Sequence, residues 1–206
     1  MKKKNVSLLF NLLIVVLELV SFYILYKSDH GIEFKYYTED SNILGLVSSL
    51  IFVIYILLNK KIPKWLSLFK YSVTIGLSLT ILMVIFVLIP MADFDFYGYL
   101  IEDAMLYQHV LCPVLAIISF ICFDDLGEFS FKDNFLGLII TGIYPVVLIL
   151  LTVFNQVQIP PYPFLDIKNQ SIIEDVLWFV GVLAFAYLIA YILRTLYIKY
   201  NNKKLA

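Results

Sequence analysis

Six stretches of about twenty predominantly apolar residues run through this chain, and no water-soluble fold accommodates them. They fall at 6–26, 40–58, 66–89, 104–123, 135–154 and 174–196. A bilayer core of roughly 30 Å is crossed by about 20 residues of helix. Inside hydrocarbon every backbone N–H and C=O must be satisfied within the segment, which a helix achieves and a lone strand does not. The expected fold is all-α: a polytopic membrane protein with six transmembrane helices in one bundle, a single domain over 1–206. Composition agrees, with 62% hydrophobic and 15% charged residues against about 45–50% and 25% in soluble domains. That excludes a soluble enzyme, a disordered chain, a disulfide scaffold and a nucleic-acid binder with a basic face. Cys112 and Cys122 share one apolar stretch and read as buried thiols.

The Lys2–Lys4 start resembles a secretory leader, but the apolar stretch behind it is too long. It also carries Glu18 and lacks a small-residue cleavage site, so it reads as a retained helix. Cations set the orientation. With the N-terminus in the cytoplasm, that side receives Lys2, Lys3, Lys4, Lys60, Lys61, Lys64, Lys70, Lys132, Arg194, Lys199, Lys203 and Lys204. The other side keeps Lys27, Lys35 and Lys168, a split of 12 against 3. Both termini are expected to be cytoplasmic, in a multi-pass protein of the cell membrane. Lys, Asn, Ile and Tyr are abundant, which suggests an A+T-rich bacterial genome.

An ionisable group within a span is costly and is a functional hypothesis by default. Glu18 and His109 are the two that stand out. At 1.5 Å per residue they lie about 3 Å and 6 Å outward of the midplane, close enough in depth to pair if their helices touch. Pro113 removes the donor that would bond the His109 carbonyl, so a kink is expected there. Glu102 and Asp103 lie about two turns above the histidine. Arg194, near the cytoplasmic end of the last helix, is expected to snorkel.

The stretch Tyr36-Tyr37-Thr38-Glu39-Asp40-Ser41-Asn42 opens the second helix. Thr38 suits an N-cap, with acids in the first turn favoured by the helix dipole. The same hydroxyl at the outer rim is a candidate nucleophile if a base reaches it, and His109 belongs to the same half of the membrane. On the same outer side lies Pro160-Pro161-Tyr162-Pro163-Phe164-Leu165-Asp166. Prolines this dense fix an extended loop, read as a plug in the bundle mouth with Tyr162 and Phe164 as interfacial anchors.

Tyr37-Thr38, His109 and Tyr162-Pro163-Phe164-Leu165 resemble the androgen-induced membrane hydrolase family, and Thr38 to Asn42, His109 through Pro113 and Tyr162 to Asp166, in that order and spacing, are similar to blocks of its bacterial relatives. The likeness is closer to that family's six-span bacterial relatives. The resemblance implies a threonine hydrolase of lipid-type carboxylic esters, since the animal members cleave fatty acid esters of hydroxy fatty acids with a threonine and a histidine. It places the nucleophile on Thr38 and the base on His109. Glu39 and Asp40 make the surroundings of this threonine more acidic than the animal pattern. Under this reading Glu18 or Asp103 holds the imidazole tautomer. Asn42 and the free amides at the start of the second helix serve the oxyanion, and Tyr37, Tyr162, Phe164 and Asp166 line the pocket or its lid. The implied partners are membrane lipids and an amphiphilic acyl ester, with no cofactor, no metal and no nucleic acid.

Other readings stay open on the residues alone. The same pocket suits a non-catalytic protein that binds a lipid or amphiphile. A proton relay through Glu18 and His109 and a Cys112 nucleophile beside His109 are further alternatives. Two histidines supply too few ligands for zinc, which wants three or four.

Overall fold

The computed structural model describes residues 3–28, 31–158 and 160–202. His30, without a role in the readings above, lies outside the described residues, as do Lys2, Lys203 and Lys204 of the orientation count. Six helices are long and apolar enough to cross a membrane. They are α1 (Lys3–Lys27), α2 (Tyr37–Leu57), α3 (Lys64–Met91), α5 (Leu106–Phe123), α6 (Lys132–Val153) and α7 (Ile172–Asn201). A short α4 (Phe96–Leu100) lies between α3 and α5. Each span overlaps one of the apolar stretches, because an uninterrupted apolar run can satisfy its backbone only as helix.

The third helix is the axis of the bundle. Of its apolar window 61% is buried, against 22–44% for the other five. It packs against α2, α5, α6 and α7, while α1 closes the far side against α2 and α5. Small polar residues make that central place possible. Gly76 and Thr80 of α3 meet Ser41 of α2, Ser72 meets the Gly137 carbonyl of α6, and such short side chains let the backbones approach. The hydroxyls do not float: Thr74 and Ser78 bond the carbonyls four residues back at 2.8 and 2.7 Å.

At the end of the bundle that carries the two termini, aromatic rings join three elements. Tyr71 of α3 stacks on Phe120 of α5 at 5.4 Å, and Phe129 meets Tyr71 at 4.9 Å and Tyr197 of α7 at 5.3 Å. Below them lies a polar network. Lys70, 1% exposed, donates to Asn11 Oδ1 and to Ser49 Oγ at 2.8 Å. Asn11 in turn donates to Asp124 Oδ1 at 3.0 Å, and Ser7 and Ser119 donate to the same oxygen at 2.6 and 2.8 Å. Lys70, counted above among the cations of the cytoplasmic side, is buried between helices. Near the end of α7 the half-buried Arg194 donates from Nε to the Phe129 carbonyl at 2.9 Å.

Candidate functional site

At the opposite end, α2 begins at Tyr37. Tyr36 occupies the N-cap position and offers no side-chain cap, so Thr38 is an early helical residue and not the cap. Its side chain is turned inward, 9% exposed. There it lines a small apolar cavity of about 60 Å³ between α2, α3, α6 and α7. Leu79, Met83, Pro145, Trp178 and Val182 form much of the wall, and Thr38, Thr80 and Thr141 are the hydroxyls it contains besides tyrosines.

The Pro-rich loop closes this cavity from above. Tyr162 and Phe164 stack at 5.2 Å, and Phe164 meets Trp178 at 5.1 Å. Both rings are buried, at 8% and 6% exposure, so they are wall and lid rather than interfacial anchors. The loop is not wholly extended, because Pro163–Leu165 makes one 3-10 turn. Asp166 stays out of the cavity and organises the loop, accepting from Asn169 Nδ2 at 2.7 Å.

The Tyr162 hydroxyl faces the backbone N–H groups of Tyr37 and Thr38 and the Thr38 hydroxyl. These donors hold its pKa down, but burial is the larger cause and pushes it up to about 12. The free amides at the start of α2 thus have a tyrosine oxygen in front of them. Linkage fixes the sign of the consequence. The folded state keeps this proton when the unfolded chain, near pH 10, has lost it, so Tyr162 stabilises fully below pH 10 and the contribution fades toward pH 12. Wild type should therefore lose melting temperature between pH 10 and 12 more steeply than Tyr162→Phe; parallel curves would contradict this placement.

Asn42 lies one turn below Thr38 and ties it to α5. Its Nδ2 donates to the Thr38 carbonyl at 2.7 Å and to the Gln108 carbonyl at 3.2 Å. Ser41 Oγ also reaches the Thr38 carbonyl, at 3.0 Å, and lies 3.1 Å from Thr80 Oγ1. Tyr37 is fixed beside them, its hydroxyl 2.8 Å from Thr141 Oγ1 and its ring 5.1 Å from Tyr144.

His109 follows Gln108, 5% exposed. Its Nδ1 lies 2.6 Å from the Tyr99 carbonyl. A carbonyl only accepts, so Nδ1 carries the proton and Nε2 presents the lone pair. The group that sets the tautomer is therefore a backbone carbonyl, not a carboxylate. Asp103 is exposed with φ 46°, and Glu18 lies beside the Cys112 thiol. The helix adapts to Pro113 with a π-helical turn over Leu106–Leu111 in place of a simple kink. Such turns insert one residue and re-aim side chains, and they recur at functional sites.

The structure thus brings Thr38, Tyr37, Tyr162 and Phe164 to one cavity, and Asn42 links Thr38 to the segment that carries His109. It does not join Thr38 to His109: no hydrogen bond connects their side chains among the described residues. Sequence reasoning missed Gln108 and Tyr99. The Tyr99 contact had no signal, because any residue can offer a carbonyl. Gln108 had one, as a carboxamide inside an apolar stretch. No family model, no curated protein and no solved structure matches the chain.

Proposed function

We propose that the protein is a membrane hydrolase of lipid-type carboxylic esters, with Thr38 as nucleophile and His109 as general base. The observation that carries this reading is a buried threonine hydroxyl at the polar end of an apolar cavity, beside the amino end of a helix. The acyl chain of the substrate lies along Leu79, Met83 and Val182, and the ester carbonyl meets the first turn of α2. To reach the backbone amides of Tyr37 and Thr38, that carbonyl displaces the Tyr162 hydroxyl. An oxyanion there is favoured by free N–H groups and by the helix dipole.

In the first half-reaction His109 Nε2 removes the Thr38 proton as Oγ1 attacks the carbonyl carbon. The tetrahedral intermediate collapses, the ester C–O bond breaks, and the imidazolium returns the proton to the departing alcohol. Neutral His109 then takes a proton from water, whose hydroxide attacks the acyl-threonine. Fatty acid leaves, and Thr38 recovers its proton from the imidazolium. The step requires Thr38 and His109 to close the gap between them when substrate enters, and Asn42 sets the distance across which they do so. We place the termini on the cytoplasmic face by the lysine and arginine bias, so the cavity opens in the outer leaflet of the cell membrane.

A second reading has a specific observation behind it. The Tyr162 hydroxyl already stands in front of the amides that an oxyanion needs, which suits a protein that holds an amphiphile without cleaving it. Fluorophosphonate labelling of purified protein separates the two. Hydrolase chemistry predicts labelling of wild type that disappears in Thr38→Ala and His109→Ala. A folded wild type that takes no label, or a Thr38→Ala variant that labels equally, overturns the catalytic reading in favour of binding alone.

A further inference from the structure

A second group of buried polar side chains meets where α1, α2 and α5 touch, away from the apolar cavity. The first of these helices runs antiparallel to the other two, so their turns stack in layers. One layer holds Glu18, Gly45 and Cys112: a Cβ added at Gly45 would lie 3.3 Å from Glu18 Oε1, and the Cys112 thiol lies beside the Glu18 carboxyl. One turn further along each helix, toward the start of α2, come Ser21, Asn42 and Gln108, and Asn42 Nδ2 donates to the Gln108 carbonyl. Glu18, Ser21 and Asn42 are 0% exposed and Gln108 is 1% exposed. Among the described residues no hydrogen-bond partner other than the Cys112 thiol beside Glu18 reaches Glu18 Oε1, Glu18 Oε2, Ser21 Oγ, Asn42 Oδ1 or Gln108 Nε2.

Five such atoms in two adjacent layers are a costly arrangement, since a buried polar group without a partner keeps its full desolvation penalty. Four of the five are oxygens, and no lysine or arginine among the described residues forms an ion pair with Glu18. A proton on the carboxyl satisfies at most one of the other oxygens. A cation seated between the layers satisfies several at once.

We infer that Glu18, Ser21 and Asn42 form a site for a small monovalent cation of the sodium class. The carboxylate supplies the single negative charge, and the hydroxyl and the carboxamide supply neutral oxygens, as hard cations prefer. Gln108 adds a fourth ligand if its amide turns over, because the oxygen and nitrogen of a carboxamide are interchangeable in outline. One carboxylate balances one positive charge; a divalent ion would leave net charge inside an apolar bundle. No cluster of three His, Cys, Asp or Glu side chains exists among the described residues to favour a transition metal.

The test uses full-length protein in detergent at pH 8, with sodium chloride exchanged for choline chloride at constant ionic strength. Sodium should raise the melting temperature of wild type by several degrees, as a ligand of the folded state does. That shift should vanish in Glu18→Gln, and Ser21→Ala should need about tenfold more sodium for half the effect, the equivalent of losing about 1.4 kcal/mol of binding. Equal melting in sodium and choline, or a sodium shift retained in Glu18→Gln, overturns the site. Should Glu18→Gln fail to fold, an unchanged half-saturating concentration in Ser21→Ala does the same. None of these readouts involves acylation of Thr38, so the cation site and the hydrolase stand or fall separately.

Discussion

Replacing Lys70 with methionine should destabilise the protein by about 3–5 kcal/mol, the range for breaking a buried charge pair by removing one partner. The ammonium and the Asp124 carboxylate communicate through Asn11, which accepts from one and donates to the other. Both side chains are buried, at 1% and 0% exposure. Methionine fills the space but leaves Asn11 Oδ1 and Ser49 Oγ without their donor and Asp124 without its counter-charge. The double variant Lys70→Met/Asp124→Asn removes the charge from both ends and should recover a large part of the loss. Lys64 provides the contrast. Its ammonium lies 2.8 Å from Asp133, yet its side chain is 51% exposed, so Lys64→Met should cost less than about 1 kcal/mol. Reversible unfolding in mixed micelles measures all four proteins. A Lys70→Met variant within about 1 kcal/mol of wild type would show that the network carries no net charge interaction.

Gly137→Leu should be damaging for a steric reason. A Cβ at this position would lie 2.6 Å from Ile75 Cδ1, closer than real carbon atoms approach, and 3.1 Å from Tyr71 Cε1, a tight contact. Here α6 rests directly on α3, and the Ser72 hydroxyl bonds the Gly137 carbonyl at 2.6 Å. Overpacking alone costs about 1–3 kcal/mol. Displacing Tyr71 adds to it, because the Tyr71 hydroxyl holds the Ala190 carbonyl of α7 at 2.6 Å and lies 3.0 Å from Asn134 Oδ1. Losing that buried bond adds about 1–3 kcal/mol more. Gly142, five residues along the same helix, meets nothing within 4 Å. Gly142→Ala should therefore be neutral or slightly stabilising, by up to about 1 kcal/mol of helix propensity. Equal stability of the two variants would remove the packing argument.

Much of the candidate site was legible in the sequence. Thr38, His109, Asn42 and Glu18 announced themselves as polar groups within or at the rim of apolar stretches, where each needs a reason to be present. Their partners were not legible. Which carboxyl or carbonyl would hold His109 depended on where α4 packs against α5, and that packing brings the Tyr99 carbonyl to Nδ1. Lys70 was misjudged because it lies only four residues into its predicted stretch, where a lysine can also reach a helix end. The neighbours that retain it, Asn11, Ser49 and Asp124, come from three other parts of the chain.

The apolar runs by themselves determined that this chain forms six helices long enough to cross a membrane, and where each lies to within a few residues. They did so because backbone hydrogen bonding without water leaves an apolar run no other regular form. Tertiary structure alone decided which face of each helix turns inward. In helices apolar all round, hydrophobicity does not distinguish core from perimeter. The inner faces are set instead by small residues that permit close approach and by polar groups that find one another across helices, as Lys70, Asn11 and Asp124 do.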